Sequence, residues 1–354
     1  MFNFSSYDLA TNLWIFAAAA GAVWIAGTKL IVYADELAER FSLSRAVLGL
    51  LLLASMTSLP EIAAGFTAAR SGYPELSVNN LLGAIALQIA LLAVADMIID
   101  EQALTSIIPN PMVMLQGAFN VCLLAFVSIT VLVGDAPLLG AGVGSWLVFA
   151  VAIYSFIKVR EADKNYPWVA NAPGAPNLDR EYSPDAGERE RPLEDDSSAW
   201  LMTKTLLSAL TILLAGYVVA SVGDAIAKQT GLGDSFVGFT LVSVATSLPE
   251  ASTVFAGVRH RLYTMAISGI LGTTAFNVAL LLGVDALADG EPVLSRVGDF
   301  TAVGALLGLA ATGILLVGLV ERANRTFLRM GIDSLAILIV YACGMFLLYS
   351  IRGS

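Results

Sequence analysis

The sequence predicts an all-α polytopic membrane protein with ten transmembrane helices in two inverted five-helix repeats, helices 2 and 7 being broken at a Ser-Leu-Pro. Three observations carry that expectation. Of 354 residues, 57% are hydrophobic and only 14% charged, against roughly a quarter charged in an ordinary soluble domain. Apolar runs of about 20 residues occupy most of the chain, and mean hydropathy is +0.77. The segment Ala54-Ser-Met-Thr-Ser-Leu-Pro-Glu61 also returns, 189 positions later, as Ser243-Val-Ala-Thr-Ser-Leu-Pro-Glu250.

In the first half the spans are expected near 12–33, 45–70, 77–99, 112–133 and 139–158. No Lys or Arg precedes Lys29, so the charged opening of a signal peptide is missing and the first run is expected to stay. The second run is interrupted at Pro60, because proline lacks a backbone donor and clashes with the preceding turn. The second half repeats the plan near 200–226, 234–258, 263–284, 297–320 and 330–350, with Pro249 as the interruption. The expected domains are therefore a first repeat at 1–158, a linker at 159–199 and a second repeat at 200–354. The linker contains Pro167, Pro173, Pro176, Pro184 and Pro192 and ends in Glu194, Asp195 and Asp196, a composition that cannot bury a core.

Loop charge sets the orientation. One set of loops carries Arg40, Arg45, Lys158, Arg160, Lys164, Arg180, Arg189, Arg191, Lys204, Arg259, Arg261, Arg322, Arg325 and Arg329. The other receives only Arg70, Lys228, Arg296 and Arg352. That imbalance predicts both termini outside a plasma membrane. The net charge of −10 disfavours nucleic acid as a partner. Cys122 and Cys343 have no neighbour at metal-ligand spacing and are read as small core residues.

At the same offset Asp35 meets Asp224, Gly49 meets Gly238, Phe66 meets Phe255, Arg70 meets Arg259, Gly83 meets Gly272 and Asp96 meets Asp285, without a gap. Charged matches at one offset mark an internal duplication. Five spans per half make the repeats inverted, a plan that places a substrate at the repeat interface near the bilayer midplane. Thr57 lies 12 residues after Arg45 and 13 before Arg70, and at about 1.5 Å per residue it falls near mid-span, with Glu61 one turn on. An ionised carboxylate at that depth is costly unless compensated, which marks Glu61 and Glu250 as functional candidates.

The interrupted turns at Thr57-Ser58 and Thr246-Ser247 free backbone carbonyls that need partners. A hard cation is a suitable one, since calcium accepts carboxylates, carbonyls and amide oxygens. Gln88 and Asn277, each 27 residues after its Glu, can add amide oxygens. The set has no thiolate or imidazole, which argues against zinc or copper. Interhelical hydrogen bonding is the competing reading for such residues, and duplication tips the balance to a cation site. Lys29, Asp35, Asp224, Asp96 and Asp285 are read as snorkelling or capping groups, and Gly140, Gly144, Gly304 and Gly308 as close-packing positions. His260, between Arg259 and Arg261, is read as a solvated or headgroup-facing loop residue.

With these residues the chain resembles the cation/calcium exchanger superfamily, most closely its prokaryotic sodium/calcium exchanger branch. The two Thr-Ser-Leu-Pro-Glu segments look like the signatures of its α-repeats, and the likeness covers all ten spans. It implies that Glu61 and Glu250 bind the transported cation, that Thr57 and Thr246 offer backbone oxygens, and that Ser58 and Ser247 help coordinate sodium. The family's Gly-Ser-Asn-x-x-Asn/Asp motif is partly present, as Gly83-Ala-Ile-Ala-Leu-Gln88 and Gly272-Thr-Thr-Ala-Phe-Asn277. Ala84 lacks the family's hydroxyl, Thr273 keeps one, and Gln88 is a methylene longer than the usual Asn or Asp.

The implied activity is secondary active antiport of Ca²⁺ against Na⁺ by alternating access, with the lipid bilayer as the other partner. The alternative is Ca²⁺/H⁺ antiport, in which Glu61 or Glu250 carries the proton. A cation channel and a degenerate, non-transporting homologue are further readings. An intramembrane hydrolase is disfavoured because no base stands ready for Ser58 or Ser247. Neither ATP nor an organic cofactor is expected, since no phosphate-binding Gly-rich loop is present.

Overall fold

The computed structural model describes residues 4–41, 52–70, 72–99, 102–108, 110–165, 197–230, 236, 238–327 and 329–351. Lipid leaves backbone groups no partner except each other, so long apolar runs fold as helices. In the first half these are α1 (Leu9–Arg40), the short α2 (Ala54–Thr57), α3 (Leu59–Arg70), α4 (Pro74–Asp96), a one-turn α5 (Leu104–Ile107), α6 (Pro111–Val133) and α7 (Val143–Asn165). The second half contains α8 (Ser198–Thr230), α9 (Ser243–Thr246), α10 (Leu248–Arg259), α11 (Tyr263–Leu287), the one-turn α12 (Val293–Arg296), α13 (Asp299–Glu321) and α14 (Ile332–Ser350). Eight of these are long and apolar enough to cross a membrane. The composite spans α2–α3 and α9–α10 complete the ten.

Helices α4 and α11, the third spans of the two repeats, form the centre. Ile85 and Ile89 of α4 and Leu271 and Val278 of α11 are among their fully enclosed residues. Around them stand α6, α7, α13 and α14, whose outward faces present residues such as Val133, Val317 and Phe346 to lipid. Helices α1 and α8 pack along each other, and each also crosses the composite span of the other repeat. At the crossings sit Gly27, against Pro249 and Ser252, and Gly216, against Pro60, with no room for a methyl group at either. These two glycines are themselves 189 residues apart.

Two aspartates tie the repeats together, one at each end of the bundle. Asp96, closing α4, accepts the N–H groups of Leu104 (2.6 Å) and Gly331 (2.6 Å) and lies beside the Ser334 hydroxyl. Asp285, near the end of α11, accepts the N–H groups of Val293 (2.8 Å) and Gly142 (2.8 Å) and the Ser145 hydroxyl (2.6 Å). Every residue of the first set corresponds to one of the second at the 189-residue offset. Each carboxylate thus binds the one-turn helix of its own repeat and a two-stranded hairpin of the other. The hairpins are β1 (Pro137–Leu138) with β2 (Ala141–Gly142), and β3 (Thr326–Phe327) with β4 (Met330–Gly331). Because matched clasps sit at opposite ends of the bundle, the inverted relation of the repeats is visible in the hydrogen bonds.

Several expectations need correction. The hairpins occupy residues assigned to the starts of the fifth and tenth spans, so α7 begins at Val143 and α14 at Ile332. Helix α7 continues to Asn165, past the expected start of the linker at 159, while residues 166–196 lie outside the described residues. Cys122 and Cys343 are exposed on the outer surface of their helices and are not core residues. Gly140 sits at φ +81° in the hairpin turn with open space around it, a turn glycine and not a packing one. Gly304 and Gly308 do pack closely, against Phe239 and Ile85.

Candidate functional site

The composite spans are interrupted by one residue each, and the interruption precedes the proline. Ser58 N–H still donates to Ala54 O (3.1 Å), and the next backbone bond across the junction is Ile62 N–H to Ser58 O (3.0 Å). The carbonyls of Ser55, Met56 and Thr57 therefore leave the α-helical ladder between α2 and α3. For Met56 the cause is direct, because its partner four residues on would be the N–H that Pro60 lacks. The same pattern recurs in the second repeat. Ser247 N–H bonds Ser243 O (2.9 Å) and Ala251 N–H bonds Ser247 O (2.9 Å), leaving Val244, Ala245 and Thr246 outside the ladder. A π-helical turn (Gly238–Val242) leads into α9, and residues 52 and 53 are π-helical ahead of α2. Such turns also loosen the backbone hydrogen-bond pattern.

One turn past each break stands an acid. Glu61 and Glu250 are fully enclosed, 0% and 1% exposed. The two carboxyl groups, one from each repeat, lie near enough for the charge of Glu250 to act on Glu61. The Thr57 hydroxyl lies beside Glu250 but donates its proton to Leu53 O at 2.9 Å. Among the described residues no hydrogen bond reaches either oxygen of Glu61 or of Glu250. Each buried carboxylate left in that condition costs several kcal/mol in an apolar interior, and a second one nearby adds to the cost.

The other sequence-derived candidates lie on elements packed against those that carry the acids. Gln88 of α4 reaches across the interface, its Nε2 making a long 3.5 Å contact with Ser247 Oγ, while its Oε1 has no hydrogen-bond partner among the described residues. Ser58 Oγ, Thr273 Oγ1 and both amide atoms of Asn277 are likewise buried without such a partner. Their elements are in contact, α11 with α2 and α3, and α4 with α9 and α10. The elements that carry these carboxylate, hydroxyl, amide and freed carbonyl oxygens are packed on one another, and most of their side-chain oxygens go unbonded where buried polar groups in folded proteins are nearly always bonded. Such a centre can hold a positively charged, oxygen-seeking ligand.

Sequence reasoning did not single out Asn79, Asn80, Gln116 and Asn120, four buried amides that the fold places beside these elements. Asn79 accepts from the Thr301 hydroxyl (3.0 Å), and Asn80 contacts the Thr246 hydroxyl (3.4 Å). Gln116 and Asn120 of α6 donate to the Ser268 and Leu271 carbonyls of α11 at 3.2 Å and 2.8 Å. Their polarity inside apolar runs was the available signal. Asp96 and Asp285 serve as structural clasps, as their positions at helix ends suggested.

Two inverted five-span units closing on a pair of enclosed acids define a membrane transport protein of the inverted-repeat kind, not an enzyme. The family model described as sodium/calcium exchanger protein matches residues 11–158 and 200–351, and the chain belongs to that family. It is 26% identical over 328 residues to the putative antiporter CaxA of Alkalimonas amylolytica, covering 90% of this chain and 93% of that one. It is 25% identical over 277 residues to the inner membrane protein YrbG of Escherichia coli (strain K12), covering 76% and 79%. Among solved structures, the sodium-calcium exchanger NCX_Mj soaked with 10 mM Na⁺ and 10 mM Sr²⁺ superposes with a TM-score of 0.68 at 18% identity, covering 96% of this chain and 99% of that one.

Proposed function

We propose that the protein exchanges Ca²⁺ for Na⁺ across the membrane, carrying either ion at one site between the repeats and opening that site alternately to the two sides. The observation that carries this reading is the pair Glu61 and Glu250, one from each repeat, enclosed and without hydrogen-bond partners among the described residues. A divalent cation cancels their charge. The carbonyls of Thr57 and Thr246, the hydroxyls of Ser58, Ser247 and Thr273, and the amide oxygens of Gln88 and Asn277 complete an oxygen-only shell. Coupling follows from the same electrostatics. With the site empty, two uncompensated carboxylates resist the passage through a closed state, so switching occurs with ions bound. The likeness to an exchanger of sodium and calcium supports the choice of ions.

The test is Ca²⁺ flux in proteoliposomes under an imposed Na⁺ or H⁺ gradient. Flux should follow the Na⁺ gradient, and Glu61→Gln and Glu250→Gln should each abolish it. Parental rates in either variant would overturn the site assignment, and flux driven by H⁺ alone would overturn the choice of counter-ion. The domain reading places one repeat up to the end of α7 at Asn165 and the other from the start of α8 at Ser198, joined by a cytoplasmic linker, in a plasma membrane with both termini outside. The excess of Arg and Lys in the opposite loops supports that orientation.

A further inference from the structure

The two halves of the site match in sequence but not around their threonines. Thr57 gives its hydroxyl proton to Leu53 O of its own span at 2.9 Å. Thr246 has no contact as short: its hydroxyl lies 3.3 Å from Ser243 O and 3.4 Å from Asn80 Oδ1. One proton cannot serve both acceptors well at those lengths. Asn80 belongs to the other repeat, is 0% exposed, and its Nδ2 has no hydrogen-bond partner among the described residues. The position matching Asn80 is Gly269, which has no side chain to offer Thr57.

Two further contacts fix Asn80 in place. Ser243 Oγ donates to Asn80 O at 2.9 Å, and the position matching Ser243 is Ala54, which has no hydroxyl. Gly83, one turn along α4, lies so close to Phe239 O and Ser243 Oγ that a methyl group there would collide with both. Helix α4 therefore rests directly on the backbone that leads into Thr246, with the Asn80 amide aimed at the threonine. The Thr246 hydroxyl thus meets an amide of the opposite repeat, whereas the Thr57 hydroxyl, held by Leu53 O of its own span, has only the Glu250 carboxyl beside it from the other half.

Resting on the exchange reading above, we propose that Asn80 is a specificity-determining positioning residue: by orienting Thr246 it makes the second-repeat half of the site the half that takes the monovalent counter-ion. A divalent ion is held chiefly by the two carboxylates, one from each half. A monovalent hard cation depends more on neutral oxygens such as the Thr246 carbonyl, whose residue Asn80 holds through its hydroxyl. Removing the amide should therefore separate the two ions.

The experiment measures Na⁺-driven Ca²⁺ flux in proteoliposomes for the parent, Asn80→Gly, Asn80→Val and Asn80→Ser. Asn80→Gly copies the matched position and introduces no bulk, and Ca²⁺-dependent thermal protection of each purified variant reports folding. For Gly and Val the half-saturating Na⁺ should rise roughly fivefold to tenfold, the size of one hydrogen bond, with half-saturating Ca²⁺ moving by less than about twofold. Asn80→Ser, which keeps a short acceptor, should recover part of the Na⁺ response. Parallel changes in both ions would show a packing role and overturn the proposal, as would no change in either. A parent without Na⁺ coupling would defeat the exchange reading and this inference together, whereas a coupled parent with indifferent variants defeats the inference alone.

Discussion

Glycine 83 shows how little freedom a single position has near the site. It holds α4 against the carbonyl of Phe239, and a methyl group there must push apart two backbones that carry Asn80 and Thr246. Gly83→Ala should destabilise the protein by about 1–3 kcal/mol, the usual penalty for overpacking, and slow transport more than its stability loss accounts for. Thermal unfolding in detergent, paired with flux at matched protein amounts, checks both. Much of the candidate site was legible at this scale. Glu61, Glu250 and the flanking Thr and Ser residues announced themselves because an acid beside a proline is costly to keep inside an apolar run. Asn80 did not, because its role depends on a cross-repeat approach that spacing along one helix cannot reveal.

The clasp of Asp96 and the clasp of Asp285 belong to the scale of elements. Each carboxylate accepts backbone N–H groups from a one-turn helix and a hairpin too short to be stable alone. Asp96→Ala and Asp285→Ala should each cost about 3 kcal/mol, since charge-assisted bonds are lost and buried N–H groups are left bare. Asn at either position, which keeps one acceptor oxygen, should cost less, and unfolding midpoints compare the four variants. The long spans were readable from apolar length, whereas the hairpins at 137–142 and 326–331 were not. Strands of two residues carry no periodicity, and the partners of these aspartates are largely main-chain groups that almost any residue supplies.

At the scale of the whole molecule, ten crossings place both termini on one face, and in the orientation proposed above that face is the outer one. In a chain with Cys122 and Cys343 replaced, single cysteines introduced at Ser6 and Gly290 should react with an impermeant thiol reagent from outside. Cysteines at Arg325 and Ser198 should react only after the membrane is opened. The reverse pattern would invert the assigned topology. The architecture also bears on what half of the chain is worth. One five-helix unit offers a metal a single negative group, so a half-length polypeptide would need a twin lodged upside down in the same bilayer to close the shell. Joining the two in tandem guarantees that pairing in every molecule and leaves each unit free to diverge, as Asn80 and Gly269 have.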